Sequence, residues 1–389
     1  KASGIEQRTS GTIKDGKIHL TRKVMGTAQE SVVNWPEDAL MPEGMRLLQE
    51  KKGLEPGTEF DLTIFRPDMM MSINTRVIVG QKQKVDLLGR VVELTEVKQV
   101  SEVQGQPITV TTYVNNGYEA LKSIAPLMGM TLEFVACDKE FALQENNVID
   151  FLEKLSIPSP VQLTNLNTIE SAVYEITPTV DRAITLPESA HQQVDPENDH
   201  LRVTVRRLSP DQDVSFPYNG KDPNILRAVK PTEFLQSDNK EIIDLARHAV
   251  GGTQKAAKAA KKIESFVAGY IQQKDLSVGY ASAAEVAQSR QGDCSEHAVL
   301  TAAMCRAVGI PARIVCGVMY AEAFVNQKNI FAGHMWVEAR IGDQWIGLDA
   351  AHPNPNNSDF GFAPGHITLA TGHGSRKDFF NVVNTLGCF

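Results

Sequence analysis

One segment near the C-terminal end of the chain can adopt only one hairpin register, and that register constrains everything around it. His334-Met335-Trp336-Val337-Glu338-Ala339-Arg340-Ile341 reads as a strand, Gly342-Asp343 as a two-residue turn, and Gln344-Trp345-Ile346-Gly347-Leu348-Asp349 as the return strand. A two-residue loop pairs Ile341 with Gln344, Trp336 with Asp349 and His334 with Ala351. Side chains alternate along a strand, so His334, Trp336 and Asp349 share one face. His334 and Asp349 are then diagonal neighbours with Cβ atoms at most about 7–8 Å apart, within reach of a ring N–H to carboxylate bond. A three-residue loop would place them on opposite faces.

A helix precedes this hairpin. In Gly292-Asp293-Cys294-Ser295-Glu296-His297-Ala298, Asp293 is a good N-cap and Glu296 completes a capping box. Ala298, Val299, Leu300, Ala302, Ala303, Met304, Ala307 and Val308 continue a mostly apolar, helix-forming series, which Gly309 and Pro311 end. Cys294 therefore opens the helix, where free N–H groups and the positive end of the macrodipole favour a thiolate and could serve an oxyanion. On that basis Cys294 is expected to alkylate fastest of the five cysteines at mildly acidic pH.

Taken singly, each residue has an ordinary structural explanation: a small buried Cys, a solvated His, a turn-forming Asp. Together they supply a nucleophile, a base and an orienting acid. His297, one turn along from Cys294, is the competing base; helical side chains tilt toward the N-terminus and no acid orients it, so His334 is preferred.

The chain resembles the bacterial transglutaminase-like superfamily. The resemblance rests on the 292–298 run, Arg306-Ala307-Val308-Gly309-Ile310-Pro311-Ala312-Arg313, Gly333-His334-Met335-Trp336-Val337-Glu338 and Trp345-Ile346-Gly347-Leu348-Asp349, and covers roughly residues 226 to 389. It implies a papain-like fold in which Cys294, His334 and Asp349 are nucleophile, base and orienter. Papain-like enzymes also place a Gln six residues before the nucleophile in the oxyanion hole; Gln288 stands there, beside the backbone N–H of Cys294. The resemblance does not imply transglutamination, since many members look like peptidases or amidases.

Composition removes other classes. Hydrophobic residues at 42% and charged residues at 22% suit a globular chain, and a net charge of −8 without a basic stripe argues against nucleic-acid binding. No run of about 18 apolar residues exists, so no membrane span is expected. His352, His366 and His373 are irregularly spaced in loop sequence, and neither C-x-x-C, H-E-x-x-H nor a phosphate-binding glycine motif occurs. No metal or cofactor is expected. The chain starts at Lys1 without Met, which fits a periplasmic or secreted protein after removal of a signal peptide. Cys137 and Cys388 could pair, while Cys316 belongs to an apolar strand over Arg313–Tyr320.

The expected fold class is α+β. Residues 1–205 form a β-rich N-terminal region of antiparallel sheets, in one or two lobes, with strands at Thr58–Phe65, Thr75–Val79, Lys84–Leu88, Pro107–Tyr113, Thr131–Cys137, Ser171–Thr177 and His200–Arg206, and a helix over Glu37–Lys51. A turn-rich linker covers 206–225, and 226–389 is the transglutaminase-like catalytic domain, expected to fold alone. That domain opens with helices over Lys240–Val250, capped by Asp238, and Gln254–Gln272, whose lysines 255, 258, 261 and 262 read as a solvated face. Ala351–Gly374 reads as a long loop. The expected function is a thiol hydrolase acting on peptide or carboxamide bonds of a protein or peptide substrate. The alternatives are an acyl transferase joining a Gln carboxamide to an amine, and a noncatalytic scaffold whose β-rich half binds a partner that the sequence does not name.

Overall fold

The computed structural model describes residues 7–24, 27–36, 38–66, 71–103, 106–127, 130–143, 156–179, 184–273, 281–324, 327–354 and 359–374. The chain divides into two compact units, Ile5–Val148 and Ile149–Phe389.

In the first unit, β1 (Gln7–Lys14), β2 (Lys17–Val24) and β3 (Thr27–Asn34) form an antiparallel meander. A seven-stranded sheet follows: β4 (Ala39–Leu40), β5 (Glu59–Arg66), β6 (Met71–Leu87), β7 (Arg90–Val103), β8 (Gln106–Val114), β9 (Ala120–Leu127) and β10 (Met130–Val135), each hydrogen-bonded to the next. Helix α1 (Pro42–Lys52) packs Met45 and Leu48 onto Phe60, Leu62, Val77 and Val97, the inward residues of the sheet. A one-turn α2 (Lys139–Ala142) is capped by Asp138. The strands expected at Thr75–Val79 and Lys84–Leu88 are one strand, β6, because Gly80 and the residue after it form a bulge against β7 instead of a reversal.

The second unit is α+β. Its central antiparallel sheet runs β11 (Ile157–Pro158), β16 (Gln327–Ile341), β15 (Ala312–Phe324), β18 (His366–Gly372), with β17 (Gln344–Leu348) also on β16. A smaller antiparallel sheet has the order β12 (Ser171–Ile176), β14 (His200–Arg206), β13 (Gln192–Glu197). The helices are α3 (Pro223–Arg227), α4 (Lys240–Val250), α5 (Ala256–Tyr270), α6 (Ala283–Ser289) and α7 (Cys294–Ala307). Alternation along β15 and β16 sorts side chains between two cores. Ile314, Cys316, Met335 and Val337 face Leu300, Met304, Ile263 and Ile242 of the helices. Val315, Val318 and Trp336 face Leu201, Val203 and Val205 of the small sheet.

That second core corrects the expected boundaries. Strands β11 to β14 belong with the central sheet of the second unit, so the division falls at 148/149 and not in a linker at 206–225. Cutting at 226 would strip an apolar face from β15 and β16. Two side chains rivet the sheets together. The Gln192 amide donates to the Thr368 carbonyl (2.9 Å) and accepts from the Thr368 N–H (2.7 Å), filling the outer edge of β18 as another strand would. The His191 Nδ1–H donates to the Arg206 carbonyl (2.9 Å), and Nε2 accepts from the Gly347 N–H (2.9 Å).

This pattern demands a neutral His191 ring, and burial pushes its pKa below the ordinary 6.5, against the pull of the Glu338 carboxylate. A depressed histidine stabilises the fold fully above pH 6.5, and that contribution is lost as pH falls below it. The urea midpoint of the protein is expected to drop between pH 7.5 and 5.5, and His191→Gln should flatten that drop while lowering the midpoint at pH 7.5. An unchanged slope in the variant would assign the acid sensitivity to other groups.

The segment Ala351–Gly374, expected as loop, also contributes β18. It approaches β15 closely because Gly317 has no side chain: a Cβ there would lie 2.0 Å from the Ile367 carbonyl and 2.8 Å from the Trp336 ring. Among the described residues no helix is long and apolar enough to cross a membrane.

Candidate active site

The hairpin adopts the anticipated register. The β16–β17 ladder runs from Ile341 opposite Gln344 to Val337 opposite Leu348, around a turn in which Gly342 supplies a positive φ of 60°. One step further, Asp349 and His334 meet: the His334 Nε2–H donates to Asp349 Oδ2 at 2.8 Å, with both residues buried. Trp336 lies under the His334 ring, stacked at 6.0 Å between centroids.

Helix α7 begins at Cys294, as the capping pattern predicts. The Asp293 carboxylate accepts from the Ser295 N–H (2.8 Å), and Glu296 accepts from the Asp293 N–H (3.0 Å). The half-buried Cys294 packs at the edge of the helical core, and its sulfur takes a hydrogen bond from the Met335 backbone N–H. Met335 is the residue after His334, so the strand that carries the imidazole also grips the thiol. The competing base, His297, is spent on its own helix: its Nδ1 lies 2.6 Å from the Asp293 carbonyl.

One expectation is reversed. The thiol pKa is not lowered but raised well above 9.0: burial pushes it up, the Asp293 carboxylate pushes further, and the Met335 N–H only partly offsets them. The capping box that marks the helix start also sets the Asp293 carboxylate on the Ser295 N–H, and that negative charge opposes the dipole that was to favour a thiolate. Glu296, buried and beside Asp293, is itself pushed up to about 8. Burial likewise lowers the His334 pKa, against the opposing pull of Asp349. Both shifts favour the uncharged thiol and the uncharged imidazole, so fast alkylation in mild acid is no longer expected.

Asp349 is surrounded by groups the sequence did not single out. Its Oδ2 also lies 3.1 Å from His366 Nε2 and 3.5 Å from His352 Nδ1, and its Oδ1 accepts from the N–H groups of Ala351 (2.9 Å) and His352 (3.2 Å). Burial alone would raise its pKa, but the His334 contact and the other two imidazoles hold it well below 3.8. The Asp349 N–H donates to Glu264 Oε1 at 2.8 Å, and the Gly361 N–H shares that oxygen at 2.8 Å. Glu264 is fully buried on α5 and paired with Lys261 at 2.8 Å. Lys261 is thus part of the site's support and not of a solvated face; the mark available in sequence was one acid on the apolar stripe with Ala256, Ala260, Ile263 and Val267. Gln288 is exposed on α6. Of the cysteines expected to be able to pair, Cys137 is a free, exposed thiol and Cys388 lies outside the described residues.

Residues 243–350 match the transglutaminase-like superfamily, a span that holds Cys294, His334 and Asp349. The chain carries a transglutaminase-like domain over that span. No curated protein gives a significant match. Among solved structures, a candidate cysteine protease from Cytophaga hutchinsonii is similar at 22% identity over 56% of this chain and 75% of the other, with a TM-score of 0.36. The periplasmic domain of TgpA from Pseudomonas aeruginosa, bound to ethylmercury, is similar at 18% identity over 47% and 72%, with a TM-score of 0.30. A candidate protease from Parabacteroides distasonis is similar at 12% identity over 90% and 68%, with a TM-score of 0.25. Cysteine-based catalysis is the chemistry this family context and site support.

Proposed function

We propose that the chain is a thiol hydrolase, a peptidase or amidase, working through Cys294, His334 and Asp349. The observation that carries the reading is the 2.8 Å bond between His334 Nε2 and Asp349, made beside the strand residue that holds the Cys294 sulfur. With Nε2 committed to the carboxylate, Nδ1 is the ring atom left to accept the thiol proton as sulfur attacks a carbonyl. Sulfur forms the acyl bond, the imidazolium returns its proton to the leaving amine, and water then attacks the acyl-enzyme with His334 again as base. The Cys294 N–H and Gln288 are assigned to the oxyanion. The substrate class is a protein or peptide, and the first unit presents or targets it. An exported location belongs to the same reading and is tested by cell fractionation.

Hydrolysis is preferred to acyl transfer for a physical reason. An amine must outcompete water at about 55 M, which takes a site that excludes solvent and holds the amine in place. Of the tryptophans in this domain, Trp336 is buried beneath His334, and Trp345 lies between Arg313 and Arg340, at 4.5 and 6.0 Å. Neither stands over the thiol as a wall. A glutamine-containing peptide incubated with a labelled primary amine should therefore show cleavage or deamidation ahead of amine incorporation. Incorporation in the majority, abolished by Cys294→Ala, would establish the transferase instead.

The pH profile follows from the base. His334 must be neutral to act, and its pKa is lowered by burial, so the acid limb of kcat/KM is expected below pH 6.5. An acid limb above pH 6.5 would mean that an imidazolium–thiolate pair is the resting state.

A further inference from the structure

Three imidazoles converge on one oxygen of Asp349, and a triad uses only one of them. His366 is buried, with Nδ1 2.9 Å from the Ala363 carbonyl, so its place is structural. His352 is different. Its side chain is 55% exposed, its ring meets His334 edge-on at 5.0 Å, and its Nδ1 lies 3.5 Å from the carboxylate, too long for a strong hydrogen bond. The ligand atoms of His334, Asp349 and His352 all lie within 4.8 Å of one another. Ligands of a tetrahedral zinc ion, bound at about 2.0–2.1 Å, stand roughly 3.3 Å apart. The separations of 2.8 and 3.5 Å from Asp349 Oδ2 bracket that spacing. The exposed ring can turn to close the set without disturbing the core, and the solvent side leaves room for water as a further ligand.

We propose that His334, Asp349 and His352 form a binding site for a borderline divalent cation, Zn2+ foremost, and that the cation switches the thiol centre off. Two imidazoles and a carboxylate suit zinc, whereas Mg2+ and Ca2+ prefer oxygen-only sets. The ion takes the lone pair of His334 Nε2 and bridges it to Asp349, replacing the N–H···O bond. The ring proton moves to Nδ1, so the imidazole stays neutral and no proton is gained or lost. Nδ1 then carries a hydrogen and cannot accept one from Cys294. The switching step rests on the thiol-hydrolase reading; the cation site does not.

The test uses the full chain. Zinc affinity is measured by competition with a chromophoric chelator in Cys294→Ala, which removes the thiol as a ligand, and in Cys294→Ala with His352→Ala. The His352 side chain is 55% exposed, and the urea midpoint of each variant is matched to its parent before affinities are compared. Zinc binding to the first variant, weakened at least about tenfold in the second, is the expected result. Equal affinity in both, or none in the first, overturns the site. In the wild-type chain, zinc should slow Cys294 alkylation at pH 8, EDTA should restore it, and His352→Ala should resist the effect. If His334→Ala slows alkylation but zinc does not, the switch is overturned. If alkylation ignores both, the thiol-centre reading falls while a His352-dependent zinc site stands.

Discussion

Asp349→Asn is expected to lower kcat by about 10³–10⁴-fold, near the loss from His334→Ala, while Cys294→Ala abolishes turnover altogether. The Asp349 carboxylate fixes which ring nitrogen of His334 carries the proton, because Oδ2 accepts from Nε2 at 2.8 Å. An Asn amide can present N–H to the same atom, which turns the ring to the tautomer with its hydrogen on Nδ1. The base is then lost although its position is kept. Asp349 also accepts from the Ala351 and His352 backbone, so the variant should be checked for folding by its urea midpoint before its rate is interpreted. His297→Ala is the control: with Nδ1 on the Asp293 carbonyl, it should lower stability and leave the acylation rate within a few-fold. Pre-steady-state acylation with an activated ester reads all four variants. A folded Asp349→Asn protein acylating within tenfold of wild type would remove the orienting acid from the mechanism.

Glu264→Ala should be among the most destabilising single changes in the second unit, at about 3–5 kcal/mol from urea unfolding. Its carboxylate is fully buried and receives the Asp349 N–H, the Gly361 N–H and the Lys261 ammonium. Removing it leaves two buried N–H donors without their acceptor and the Lys261 ammonium with the Asp359 carbonyl as its remaining partner. It also frees the backbone at Asp349, so the rate of His334-dependent acylation should fall along with stability. Glu264→Gln keeps one oxygen for the two N–H groups but turns an NH2 donor toward the Lys261 ammonium in place of Oε2, and should recover only the part of the stability that backbone anchoring supplies. Equal losses for Ala and Gln would show that the pairing with Lys261, and not backbone anchoring, is what Glu264 supplies.

Much of the second unit was legible because it depends on neighbours in sequence. Asp293 and Glu296 are three residues apart, so a capping box can be read directly and places Cys294 at the helix start. Gly342-Asp343 is a tight turn, so the pairing of β16 with β17 follows by counting, and the His334–Asp349 bond follows from the pairing. The strands expected at Ser171–Thr177 and His200–Arg206 are present as β12 and β14, since alternation is a local property. Where they pack is not local. Their apolar faces can be counted in sequence, but only the tertiary structure decides that Val203 and Val205 lie against Val315 and Trp336, and so moves the unit boundary to 148/149.

The same distinction runs through the site. The sequence by itself determined that Cys294 opens a helix, that His334 and Asp349 share a strand face, and the register that joins the last two, because these rest on helix caps, strand period and turn length. The tertiary structure decided what surrounds them: Glu264 from a helix 85 residues earlier beneath Asp349, and His366 from a strand 17 residues later beside it. It also decided the direction in which the thiol pKa moves. A helix start favours a thiolate only while its N–H groups stay open and solvent or a cation can support the charge. Here burial and the Asp293 carboxylate act the other way, and both depend on how the chain closes around Cys294 rather than on the residues beside it alone.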